Sequence, residues 1–248
     1  MNPSIFREYD IRGLAEKDFD RDFAEILGKV HGTIINERGG RRVAVGRDCR
    51  STSDPYAEAV IQGLLSAGLH VYDVGVCPTP LLYFSLFHLD LDGGVQVTAS
   101  HNPSEYNGFK VCVGKETLYG SQIQELRRKI EQRDFKEISG GRRESYAIIP
   151  PYQEHLLRDV PALARPLRVV VDAGSGVGGP VAPPIFRRLK CTVWEIACIP
   201  DGNFPFHHPD PTVPENLEML IEKVKEEGAD VGVAYDGDAD RIGVVDER

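Results

Sequence analysis

Carboxylates gather at alternate positions in Asp236-Gly237-Asp238-Ala239-Asp240-Arg241, a stretch of this 248-residue chain entered from the strand-like residues 230–235. Three carboxylates at alternate positions repel one another, and the arrangement is costly unless a hard cation sits among the oxygens. Magnesium takes oxygen ligands and leaves room for a phosphate oxygen, which makes it the natural occupant; a solvated acidic turn is the plain alternative. The second chemical stretch is Thr98-Ala99-Ser100-His101-Asn102-Pro103, followed by Tyr106-Asn107-Gly108-Phe109-Lys110. Ser100 stands at the end of an apolar run, where parallel α/β sheets collect their ligands. A serine hydroxyl is a poor nucleophile without a neighbour to take its proton or stabilise charge, and His101 and Lys110 are groups of that kind. An ordinary turn would use the same Ser, Asn and Pro.

Other motifs read less chemically. An EF-hand starting at Asp236 would place Glu247 correctly at its twelfth position. Its sixth position is Arg241, however, where glycine must make the sharp turn, and the entering segment reads as strand. A phosphatase of the haloacid-dehalogenase type would use Asp236 and Asp238, but Asp240 stands where Thr or Val is usual. The glycines of residues 174–179 lack the lysine of a phosphate loop and the spacing of a dinucleotide fold, which predicts a tight turn for close helix packing. His207 and His208 are adjacent, so in an extended segment their side chains diverge, which argues against both holding one metal ion. Arg47-Asp48 ends a strand and either braces the Ser100 loop or forms a surface pair.

The elements that must position these groups alternate in the manner of α/β architecture. Residues 43–45 predict a strand. Asp54-Pro55 opens a helix whose apolar face is Ala57, Val60, Ile61, Leu64 and Leu65, closed by Gly68 in the left-handed conformation. Residues 70–74 predict a second strand, 80–89 a helix, and 95–98 a third strand running into Ser100. The layout repeats with a strand at 168–171, a helix at 182–189 and a strand at 192–196. Thr212 and Glu215 resemble a capping box before a helix whose buried face is Leu217, Leu220, Ile221 and Val224. A last strand at 230–235 enters Asp236. The fold class is therefore α/β, with two similar domains, each a mixed, mainly parallel sheet flanked by helices. They are predicted over residues 1–145 and 150–248, with Ser139-Gly140-Gly141-Arg142-Arg143 as the flexible part of the join.

Composition narrows the functional classes. The formal net charge of -9, with both signs interleaved, argues against a general nucleic-acid binder. Arginines in a cleft can still hold a phosphorylated small molecule. The five cysteines form no C-x-x-C pair, and Cys112 and Cys191 sit in apolar, strand-like runs that predict core thiols, in keeping with a reducing, cytoplasmic setting. No apolar run is long enough to span a membrane.

Taken together, residues 98–103, 106–110 and 236–241 resemble the α-D-phosphohexomutases. So do Phe6-Arg7-Glu8-Tyr9-Asp10-Ile11-Arg12-Gly13, His207-His208-Pro209-Asp210-Pro211 and Pro214-Glu215-Asn216-Leu217. The matches run in the family's order along essentially the whole chain. The opening and residues 106–110 resemble the phosphomannomutase/phosphoglucomutase type more than phosphoglucosamine mutase. The resemblance implies that Ser100 is a phosphoserine that donates its phosphoryl group to a hexose phosphate and recovers one from a hexose bisphosphate. It implies that Asp236, Asp238 and Asp240 hold Mg2+ together with Ser100, and that Arg12 and Arg241 steady the phosphate. Tyr9 would line the same cleft, and His101 or Lys110 would move the hydroxyl proton. Family members carry two further domains with the sugar-recognition and phosphate-binding loops, and nothing in residues 1–248 matches either loop. The chain is thus expected to bind magnesium with little turnover of its own, the missing C-terminal domains being its partners. A non-catalytic metal- or phosphate-binding module is the alternative of another class.

Overall fold

In the computed structural model, which describes residues 2–246, the alternating pattern resolves into two α/β units. One comprises Met1–Ala99 and Glu105–Ala147, the other Ser100–Ser104 and Ile148–Arg248.

The first unit runs β1 (Ile11–Leu14), α1 (Arg21–Glu37), β2 (Arg42–Arg47), α2 (Ser53–Ser66), β3 (His70–Val76), α3 (Thr79–His88) and β4 (Gly93–Val97). It continues through β5 (Tyr106–Val113), β6 (Glu116–Thr117), α4 (Ser121–Glu131) and β7 (Arg142–Ser145). The sheet order is β1-β5-β4-β2-β3-β7, with β6 paired to β5. Its centre, β4-β2-β3, is parallel, and Val43, Val45, Val71, Val95 and Val97 are all buried there, as strands covered on both faces require. Adjacent residues of β4 reach opposite layers. A Cβ on Gly93 would meet Ile35 of α1, and one on Gly94 would meet Leu82 and Leu86 of α3. Helices α1 and α2 approach backbone to backbone: a Cβ on Gly63 would lie 2.1 Å from the Glu25 carbonyl oxygen.

The apolar face read for α2 is the face it buries, with Gly68 following at φ +78°. Its start differs from expectation. Thr52 occupies the cap position without a side-chain bond to the helix amides, and the Asp54 carboxylate pairs with Arg47 instead. Residues 139–143 are not a loose join either, because Arg142 and Arg143 enter the sheet as β7, parallel to β3. Two features permit this. Gly141 lets the backbone pass Leu65, whose carbonyl oxygen a Cβ would meet at 2.1 Å. The Arg143 guanidinium then holds Glu58 at 2.7 Å and Asp73 at 2.6 Å.

The second unit runs α5 (Ile149–Asp159), β8 (Arg168–Asp172), α6 (Ala182–Arg188), β9 (Thr192–Ile196), α7 (Glu218–Glu227), β10 (Val231–Tyr235) and β11 (Ile242–Val245). The sheet order is β11-β10-β8-β9, parallel except for β11. Val169, Val171 and Val233 face Ala182, Cys191 and Phe186 on one side, while Val170 and Ala234 face Leu220 and Val224 of α7 on the other. The capping box is absent: the Thr212 hydroxyl donates to Asp210 at 2.6 Å, and the chain enters α7 through the 3-10 turn Pro214–Leu217. Ile221 is only half-buried. All five cysteines are free thiols, and burial pushes Cys77 up to about 12 and Cys112 up to about 11. Among the described residues no helix is long and apolar enough to cross a membrane.

Candidate active site

Strand β10 delivers Asp236 into a turn that folds back on it. The amides of Asp240 and Arg241 both donate to Asp236 Oδ1 at 3.1 Å. The Ala239 amide donates to the Asp236 carbonyl at 2.9 Å, with Ala239 itself at φ +54°. The turn closes the β10–β11 hairpin and aims its three carboxylates inward: one oxygen from each of Asp236, Asp238 and Asp240 lies within 4.8 Å of the others. Asp236 and Asp238 have no solvent exposure, whereas Asp240 is exposed. Burial first, and the Asp238 charge second, push the Asp236 carboxyl up to about 7. A donor set of oxygens alone, held together against their mutual repulsion, fits a hard divalent cation. A strand, not a helix, enters the loop, which removes the EF-hand reading.

Ser100, wholly within the second unit's group of residues, meets this turn. Its hydroxyl donates to Asp236 Oδ2 at 2.7 Å and accepts from Arg241 Nη2 at 2.6 Å. Arg241 Nε also donates to Asp236 Oδ2 at 3.1 Å, so one guanidinium clamps serine and carboxylate together. Ser100 sits at φ +55°, a left-handed conformation that costs a residue with a Cβ about 1–2 kcal/mol. Gly237 is required: a Cβ there would meet the Ser100 carbonyl oxygen at 2.4 Å.

His101 follows Ser100 in the chain and stands beside Arg241. Arg241 Nη2 faces its Nδ1. The Ser100 oxygen is 3.4 Å from the same Nδ1, a poor line for proton transfer. Three other expected residues belong to the first unit. Tyr9 is 68% exposed, Arg12 lies on β1 opposite Gly108 with its guanidinium on Asp10, and Lys110 is nearly buried on β5 opposite Gln96.

Arg47 and Asp48 do not pair with each other. Arg47 turns to Asp54 and Asp73, while buried Asp48 takes Arg50 Nε at 3.1 Å and the Ser53 hydroxyl at 2.5 Å. Arg50 continues to the Tyr106 carbonyl, and Asn107 donates to the hydroxyls of Thr52 and Ser53. This buried network ties β5 to the β2–α2 turn. Polar residues in a turn-like run gave no periodic signal for it.

Asp210 was also missed. Burial works to raise its carboxyl, yet hydrogen bonds from Thr212 and the charges of His101 and Arg241 hold it below the usual range. The glycine-rich segment is the tight turn expected. A Cβ on Gly176 would meet the Gly237 carbonyl oxygen at 2.6 Å, and one on Gly179 would meet that of Cys198 at 1.9 Å.

With this geometry in hand, similarity to known proteins is informative. The family model described as phosphoglucomutase/phosphomannomutase, alpha/beta/alpha domain I, matches residues 3–137, and that of domain II matches residues 150–248. A phosphomannomutase/phosphoglucomutase of Pseudomonas aeruginosa is 48% identical over 98% of this chain and 52% of its own length. A phosphoglucomutase of Neisseria gonorrhoeae is 42% identical over 97% of this chain and 52% of its own. The crystal structure of a phosphoglucomutase/phosphomannomutase family protein from Burkholderia thailandensis superposes with a TM-score of 0.95 at 42% identity, covering 100% of this chain and 55% of that one. The chain thus spans about half the length of the curated relatives it matches. On its fold, its two matched domains and its identity to these mutases, the chain belongs to the phosphoglucomutase/phosphomannomutase family.

Proposed function

We propose that these residues supply the phosphoryl-transfer half of a phosphohexomutase that interconverts hexose 1-phosphate and hexose 6-phosphate. The observation that carries the reading is the Ser100 hydroxyl lying 2.7 Å from a carboxylate of the three-aspartate turn. In the proposed cycle Ser100 carries a phosphoryl group. The P–O bond to Ser100 breaks as a sugar hydroxyl forms its own bond to phosphorus, and the hydroxyl's proton leaves to a base. The hexose bisphosphate so formed, turned end for end, returns its other phosphoryl group to Ser100. Asp236, Asp238 and Asp240, with an oxygen on Ser100, would hold Mg2+, which when bound neutralises charge on the phosphoryl oxygens. Arg241 already donates to Ser100 Oγ, so its guanidinium is placed to steady phosphoryl oxygens at that atom. Arg12, Tyr9 and Lys110 are assigned to phosphate and sugar contacts, and His101 or Lys110 to the proton. The partner is the remaining half of the relatives' length, to which recognition of the sugar is assigned.

Intact-mass analysis of the chain after incubation with a hexose bisphosphate and Mg2+ tests the reading. One added phosphoryl group, absent in Ser100→Ala and in chelator, is expected. A chain that binds the cation but never gains phosphate would be a binding module, and the enzymatic reading would be dropped.

A further inference from the structure

His207 is held by both ring nitrogens. Nε2 lies 3.1 and 3.0 Å from the two carboxylate oxygens of Asp172, and Nδ1 lies 3.0 Å from the His208 carbonyl oxygen. Asp172 ends β8 with no solvent exposure, and its Oδ1 also accepts the Gly174 amide at 2.9 Å. A carbonyl can only accept, and a carboxylate already accepting an amide does the same, so both imidazole nitrogens must donate. His207 is therefore an imidazolium paired with a buried carboxylate. The hydrogen bond it donates to Asp172 is also the main cause that raises its affinity for the proton.

This pair joins two loops, and both seat the cation turn. The Asp172 side carries Gly174, whose Cβ position would fall 3.0 Å from Pro209 and 3.5 Å from the His207 ring. It also carries Gly176 against Gly237, and Val177, whose amide donates to the Gly237 carbonyl at 3.1 Å. On the other side, the His208 carbonyl accepts His207 Nδ1–H and the Asp210 amide at 2.8 Å, fixing the turn at 208–210. That turn sets Pro209 against Gly174, within 3.5 Å of where a Gly237 Cβ would stand, and presents Asp210 to the charges of His101 and Arg241. Gly237, gripped from both loops, is the residue between Asp236 and Asp238 and packs on the Ser100 backbone.

We infer that His207, as an imidazolium locked to Asp172, is a positioning residue that fixes the Gly237 turn and so sets the spacing of the cation ligands relative to Ser100. The inference rests on the cation-binding reading of that turn. It extends to a pair that touches none of the reacting atoms.

Two measurements on the 248-residue chain test it. In protein labelled with 15N-histidine, His207 is expected to show both ring N–H signals at neutral pH, and Asp172→Asn is expected to remove one. Mn2+ binding followed by electron paramagnetic resonance is expected to weaken about tenfold in His207→Gln and in Asp172→Asn, the size of effect that outer supports of metal ligands show. Val224→Ala, a core change on the buried face of α7, is expected to lower the melting temperature without changing Mn2+ affinity. That control separates positioning from lost stability. Should His207→Gln not fold by circular dichroism, Asp172→Asn carries the test. A wild-type His207 with a single ring N–H, or variants that bind Mn2+ as tightly as wild type, would overturn the inference while leaving the proposed function standing. Wild-type chain that binds no Mn2+ at all overturns both.

Discussion

Replacing Asp238 with Asn probes the repulsion stored in the cation turn. Asp236 has its carboxyl raised from an ordinary 3.8 to about 7, burial contributing most and the Asp238 charge next. A carboxyl raised on folding stabilises the fold while it stays protonated, below its unfolded value. That contribution disappears as pH rises through the folded value, so in chelator at pH 8 it is fully lost. At about 1.4 kcal/mol per pH unit, the penalty relative to acid is about 4 kcal/mol. Asp238→Asn keeps the shape and the burial and removes only the second cause, so about 1–2 kcal/mol should return, or about 2–8 °C in melting temperature. With Mg2+ at a hundred times its dissociation constant, wild type should gain about 2.7 kcal/mol. The variant, short of one charged ligand, should gain a small fraction of that, and the gap seen in chelator should close. Thermal melts at pH 8 with EDTA and with MgCl2 read both effects. The reasoning is refuted if Asp238→Asn melts below wild type in EDTA, or if Mg2+ raises both proteins equally.

Three further perturbations have defined outcomes. His31 is fully buried, its Nε2 on the Cys112 carbonyl at 2.9 Å, and burial lowers its pKa to about 4. The unfolded ring takes a proton below about 6.5 while the folded ring refuses it until about 4, so stability should fall by up to about 3 kcal/mol across that interval. His31→Gln should lose that slope in melts between pH 4 and 7. Arg50→Leu leaves the buried Asp48 charge without its guanidinium and should cost about 3–5 kcal/mol in urea unfolding; adding Asp48→Asn should recover most of it. Gly179→Ala drives a Cβ to 1.9 Å from a backbone oxygen that cannot rotate away, and should cost about 2–3 kcal/mol by the same measurement.

Elements that repeat an apolar period were legible, because burial on one face imposes that period on the residues themselves. The strands β2, β3, β4, β8, β9 and β10 and the helices α2, α3, α6 and α7 are of this kind. The antiparallel strands β1, β5 and β11 were not, nor were α1, α4 and α5. Strand β7 was misread because glycines and arginines read locally as a loop, whereas its place is decided by an unfilled edge of β3 and by acids on α2 and β3. The capping box at Thr212 failed for a related reason. A hydroxyl takes whichever acceptor the fold brings near, and here that is Asp210.

The residue types alone determined the chemistry on offer: a clustered carboxylate set calling for a hard cation, and a serine at a strand end. Their order along the chain also carried the family resemblance. Only the tertiary structure decided which of these groups act on one another. A serine and an aspartate 136 positions apart share a hydrogen bond, and one arginine grips both. A histidine in a loop faces a buried carboxylate 35 positions before it. The physical reason is that charge state and hydrogen-bond partner depend on distance and burial, which are set when separate strands and turns pack. Spacing along the chain constrains them only within a single element.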